Sequence, residues 1–221
     1  GYYNDIALAA DYYSGHIVIE VPGEPKITDL NPVVPIVTKS DNGNIINISA
    51  DVETLQGSVK KQYSLNLKTT VIDLNYELDW TNNPTGSFRL GHITLIPDSF
   101  DKRTLYYRTN NGSDQMESFK LLSKKVDHGS AVSFLTSASC AVNGTNGIIE
   151  LGDTKKFIRI SYDKNLAALI GLITYLESGK DYYYRLSLSA AEMDDTRRKK
   201  IISDTYNQSR FSISISAFPN N

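Results

Sequence analysis

The chain of 221 residues is 40% hydrophobic and 22% charged, the composition of a folded globular protein and not of a disordered one. A formal net charge of −2 and a pI near 5.9 exclude a bulk basic field for nucleic acid or anionic lipid. A lone cysteine, Cys140, excludes an intrachain disulfide and a thiolate metal site and reads as a small buried residue; no apolar run reaches the about 18 residues of a membrane-spanning helix.

Strand signals dominate in chain order. They predict strands over His16–Val21, Val33–Thr38, Ile45–Val52, Lys61–Leu67, Thr70–Leu78, Ser87–Ile96, Thr104–Thr109, Ser118–Lys124, Ala131–Leu135, Gly147–Leu151, Lys155–Tyr162, Asp181–Ser189 and Arg210–Phe218. In the fifth of these, Ile72, Leu74, Tyr76 and Leu78 alternate with Val71, Asp73, Asn75 and Glu77, a half-buried strand pattern. Asp41-Asn42-Gly43-Asn44, Asn82-Asn83-Pro84-Thr85-Gly86, Asn110-Asn111-Gly112-Ser113 and Asn143-Gly144-Thr145-Asn146-Gly147 supply turns. Fourteen tyrosines against one tryptophan suit wide sheets with half-wet faces. Two segments read as helices: an apolar run from Leu166 to Ser178 capped by Asp163, and Ala190–Ser203, whose acids precede its bases. The expected fold is an all-β, jelly-roll-like sandwich with one or two short helices. It forms one domain over residues 14–221, after an extended N-terminal segment over residues 1–13.

The search for chemistry finds little. His16, His92 and His128 share no spacing, so neither a metal site nor a catalytic group is assigned, and no cofactor is expected. Asp194-Asp195 beside Arg197, Arg198, Lys199 and Lys200 read as a salt-bridged helix face. The turn acids Asp41, Asp98 and Asp101 lack an EF-hand spacing. Four sequons mark Asn47, Asn111, Asn143 and Asn207 as candidate N-glycosylation sites, Asn111 and Asn143 on turns. On these grounds the chain is read as a structural protein and not an enzyme.

The N-terminal segment opens on Gly1-Tyr2-Tyr3-Asn4-Asp5 and runs through Ile6 and Leu8 to Ala10. An apolar terminus must be covered, either by its own domain or by a neighbouring subunit to which it adds a strand. The "GYYND" start, the Ser14-Gly15 step into an alternating strand, the stretch Ile27-Thr28-Asp29-Leu30-Asn31-Pro32 and the closing "DTYNQSRFSISISAF" resemble the TasA/camelysin family of biofilm-matrix fibre proteins. In this chain Val33-Val34 stands where the family has Gly-Asp. The resemblance implies a secreted subunit, cleaved from a signal peptide, that forms an extracellular homopolymeric fibre or pilus by donor-strand complementation. Tyr2, Tyr3, Asn4, Asp5, Ile6 and Leu8 would form the donor strand, with roles in biofilm and cell adhesion. The alternative is a glycan- or receptor-binding sandwich, or a viral capsid-type protein, with Tyr106, Tyr107 and Tyr182–Tyr184 as stacking surfaces.

Overall fold

The computed structural model describes residues 15–80, 86–122, 124–193 and 208–220. They are nearly all β. The strands are β1 (Val18–Glu20), β2 (Ile27–Thr28), β3 (Ile36–Lys39), β4 (Ile45–Thr54), β5 (Gly57–Asn66), β6 (Val71–Trp80) and β7 (Ser87–Thr94). There follow β8 (Tyr106–Thr109), β9 (Glu117–Lys120), β10 (Val126–Asp127), β11 (Ile148–Gly152), β12 (Lys156–Tyr162), β13 (Ile170–Ser178), β14 (Asp181–Ala191) and β15 (Gln208–Pro219). They pair antiparallel in a six-stranded sheet, β10-β13-β14-β7-β1-β2, and a nine-stranded sheet, β3-β4-β5-β6-β15-β12-β11-β8-β9. Helical structure among the described residues is confined to two 3₁₀ turns, Pro97–Ser99 and Lys102–Thr104. The expected β-sandwich is therefore what the chain forms.

The core lies between the two sheets because period-two alternation sends one set of side chains inward from each. The large sheet contributes Leu74, Tyr76, Leu78, Ile149, Leu151, Ile160, Phe211 and Ile213; the small sheet contributes Ile17, Ile19, Leu90, Ile173, Tyr175, Tyr184, Leu186 and Leu188. A buried ion pair joins the layers. Lys61 Nζ lies 2.8 Å from Asp29 Oδ2, and Asp29 Oδ1 accepts from the Ile17 amide at 2.8 Å. Lys61 Nζ and Tyr76 Oη both donate to the Gly15 carbonyl, at 2.7 and 2.9 Å. Desolvation, with the nearby Tyr63 and Asp29, pushes the Tyr76 phenol well above its ordinary value, so it remains a hydrogen-bond donor.

Several expectations need correction. The helix expected over the run from Leu166 to Ser178 is largely strand β13. Its inward residues Ile173 and Tyr175 and its outward Leu172 are all buried, so both faces are apolar and no period shows. The helix expected from Ala190 instead begins as the end of β14; residues 194–207 lie outside the described residues. Ala131–Leu135 is an irregular loop, with Phe134 exposed to 77%. Cys140 is exposed rather than buried. The donor-strand residues Tyr2 to Leu8 fall outside the described residues, as does Asn207.

Candidate functional site

The outer face of the small sheet, which in a simple sandwich would meet water, is buried and carries polar side chains beside the apolar Leu172 and Tyr183. His16, Arg185, Ser187 and Ser189 are each at most 6% exposed, and His92 is 3% exposed. Two irregularities in the β7–β14 pairing set this arrangement. Leu186 pairs with Ile93, but Leu188 pairs with Leu90, so Gly91 is an extra residue in β7. Gly91 adopts φ +64°, and a Cβ there would come within 2.9 Å of Ile213 Cδ1, so it faces the core. Glycine suits both demands. Without this bulge, strict alternation after Leu90 would turn His92 into the core.

His92 instead stacks on His16, with ring centroids 4.8 Å apart and planes 27° apart, and its Nδ1 lies 3.2 Å from Ser187 Oγ. Burial, followed by the charges of Arg185, His16, Arg89 and Lys26, pushes the His92 pKa well below its ordinary value. His92 is therefore neutral at neutral pH. His128, half-buried, is lowered too, burial outweighing the adjacent Asp127. A histidine with a depressed folded-state pKa binds its proton more tightly when unfolded, so acid favours unfolding. Stability is complete above pH about 6.5 and falls as the pH drops through that value, by at most about 1.4 kcal/mol per pH unit for each histidine. Urea unfolding across this window measures the slope, and His92→Gln flattens it; an unchanged slope in the variant would show that His92 protonates freely in the fold.

The same face leads from His92 along β7 to Arg89, and here it opens into a cleft. Arg89 Nε and Nη2 donate to Glu192 Oε1 and Oε2 at 2.8 and 2.9 Å, a bidentate pair. Ser189 Oγ and Ser137 Oγ donate to the same two oxygens at 2.7 and 2.5 Å. Burial opposes the Glu192 charge, but the Arg89 hydrogen bonds and charge and the two hydroxyls outweigh it and hold the carboxyl below its usual range. Its oxygens are taken up, so Glu192 works here as an anchor. Ser137 closes the arrangement by accepting from the Met193 amide at 2.9 Å, while Arg89 Nη2 donates to the Ser137 carbonyl at 2.9 Å. The loop that carries Phe134 is thus tied to the end of β14.

The cleft above this network encloses about 360 Å³, within the usual range of small-ligand sites. Val21, Pro22, Phe134 and Met193 form apolar walls; Arg89, Ser133 and Ser137 are polar lining residues beside buried Ser87; Lys26 and Glu20, paired at 2.6 Å, lie part-exposed beside them. Sequence reasoning named none of these as site residues. Arg89 and Glu192 are 103 positions apart and meet only through strand pairing. It also kept the histidines apart, although β1 and β7 bring His16 and His92 together. Among the described residues, no three His, Cys, Asp or Glu side chains are grouped to hold a metal ion.

The remaining sequence-derived candidates scatter. Tyr182, Tyr183 and Tyr184 are at most 4% exposed and Tyr106 is buried, so they offer no stacking surface; half-buried Tyr107 stacks on Phe119 at 4.8 Å. Of the sequons, Asn111 and Asn143 lie exposed in loops and Asn47 is half-buried on β4. No helix among the described residues is long and apolar enough to cross a membrane.

No protein-family model matches the chain, and a search of curated proteins finds no relative. Solved structures do show similarity. A protein of Escherichia coli K12 provisionally assigned as an aldose 1-epimerase is 12% identical, with a TM-score of 0.45, over 91% of this chain and 79% of its own. A Synechocystis sp. PCC 6803 protein is 10% identical, with a TM-score of 0.42, over 83% of this chain and 65% of its own. These similar structures are not TasA or pilus subunits. That finding overturns the resemblance to the TasA/camelysin family. With it go the expected roles as a fibre, pilus or biofilm subunit and the reading of the chain as not an enzyme. The stretches that carried the resemblance are short and mostly alternating β sequence, which many antiparallel sandwiches present.

Proposed function

We propose that this protein is a carbohydrate-binding β-sandwich whose ligand, a neutral sugar, occupies the cleft beside Arg89. The observation that carries the reading is the two-sided lining of the cleft. Val21, Pro22, Phe134 and Met193 stand against Ser87, Arg89, Ser133 and Ser137. A pyranose ring is divided in the same way, with apolar C–H faces and a hydroxyl edge. Phe134 offers a ring face to the first, and the Ser133 hydroxyl and the part-exposed Lys26–Glu20 rim offer donors and acceptors to the second. The Arg89–Glu192 pair carries no net charge, which suits a neutral ligand over an anionic one.

Phe134 is exposed, so its removal separates binding from folding. Phe134→Ala is expected to weaken sugar binding roughly five- to tenfold, the loss of about 1–1.4 kcal/mol of ring contact, with the melting temperature unchanged. Calorimetric titration with neutral mono- and disaccharides checks this. If no saccharide binds, or if binding is indifferent to Phe134, the cleft is not a sugar site.

A further inference from the structure

The outer face of the large sheet, opposite the core and away from the cleft, carries a second cluster. Register places Arg108, Glu150 and Arg159 in one cross-strand row, and Tyr106, Gly152, Phe157 and Phe218 in the next. Gly152 is the residue over which Phe157 lies; a Cβ there would meet Phe157 Cβ at 2.5 Å.

In this cluster guanidinium groups and aromatic rings interleave. Arg108 Cζ is 4.9 Å from the Tyr106 ring centroid and 5.0 Å from that of Phe157. Arg159 Cζ is 5.7 Å from Phe157 and 5.1 Å from Phe218, and those two rings stack at 5.3 Å. Glu150, its side chain 5% exposed, is bracketed by both arginines, with Arg108 Nε at 2.9 Å and Arg159 Nε and Nη2 at 2.8 and 2.7 Å. One carboxylate between two guanidiniums leaves a local charge of +1. Arg108 Nη1 and Nη2 and Arg159 Nη1 meet no acceptor among the described residues. Asp153, at the end of the same hairpin, is already taken up by the backbone amides of Asp101, Lys155 and Lys156.

We propose that this face is a second ligand site, for a carboxylate borne on a sugar ring, as in a uronic acid unit of a polysaccharide. The unused guanidinium N–H groups match the geometry of a carboxylate, and the exposed Phe218 ring takes the C–H face of the sugar. Held in place by Glu150 and by the rings on either side, the arginines lose little freedom when a ligand arrives. The site is on a different sheet from the cleft and stands or falls separately from it.

The test titrates the full chain with galacturonate oligomers and, in parallel, with neutral galactose oligomers of the same length. The acidic oligomer is expected to bind, more weakly as salt rises, and to lose about tenfold in affinity in Arg159→Gln and in Phe218→Ala. Phe134→Ala leaves that binding unchanged. Phe218 is exposed near the end of β15, so its variant keeps the test open if Arg159→Gln fails to fold. The proposal is overturned if the acidic oligomer binds no more tightly than the neutral one. It is equally overturned if binding survives both variants, or if it is lost only with Phe134→Ala.

Discussion

Glu192→Ala is expected to lower the stability of the fold by about 3–5 kcal/mol, the cost of breaking a buried ion pair from one side. The side chains of Arg89 and Glu192 are only 16% and 13% exposed, so solvent does little to screen the loss. Removing the carboxylate strips the guanidinium of both Glu192 oxygens and leaves the Ser137 and Ser189 hydroxyls without that acceptor. Glu192→Gln keeps the shape and half of the acceptors, and costs less. Chemical denaturation gives the energies. Hydrogen exchange at the Ser137 and Met193 amides reports whether the loop loosens when its anchor goes. A Glu192→Ala variant within about 0.5 kcal/mol of the parent chain would place it with ordinary surface substitutions and remove the pair's role in building the cleft.

The second large effect concerns the tyrosine triplet. Tyr184 is fully buried, and its hydroxyl donates to the Tyr106 carbonyl at 2.9 Å. Desolvation, with Tyr107, Tyr106 and Tyr182 nearby, pushes its pKa well above the ordinary phenol value, so it remains protonated through neutral and mildly alkaline pH. Tyr184→Ala is expected to cost about 3–5 kcal/mol as a large-to-small core substitution. Tyr184→Phe is expected to cost about 1 kcal/mol for the lost hydrogen bond. Urea unfolding of both variants separates the packing and hydrogen-bond contributions. A stacking residue on the surface would show the reverse: little change in stability and a loss of ligand binding.

These contrasts show what was legible in the sequence. Strands such as β6 were plain because one face is wet, so Leu74, Tyr76 and Leu78 alternate with Asp73, Asn75 and Glu77. β13 was hidden because Leu172 is buried on one face while Ile173 and Tyr175 are buried on the other. The tyrosine triplet read as exposed for a related reason: Tyr183, buried on the outer face, gave no sign that Tyr182 and Tyr184 face the core. The cleft was out of reach because its polar groups come from β7, the end of β14 and a loop, and only pairing joins them. One local sign was present. Gly91, inside an otherwise alternating strand, is the mark of a bulge, and a bulge there decides which way His92 points.

That bulge has a counterpart. From Ser189 to Ala191, β14 advances two residues while β7 moves only from Arg89 to Phe88, so Ala190 is an extra residue on the facing strand. The two insertions are equal and on opposite strands, so the register lost at Gly91 is regained within a few rungs. Deleting either residue alone would remove its own bulge and leave every other rung paired as before, because the extra residue has no partner across the ladder. Deleting both would restore a regular ladder with Arg89 and His92 still on one face, but without the local twist and bend that the bulges add between them. In related chains each of the two positions can therefore be gained or lost alone, as a one-residue length change that leaves the pairing on either side intact.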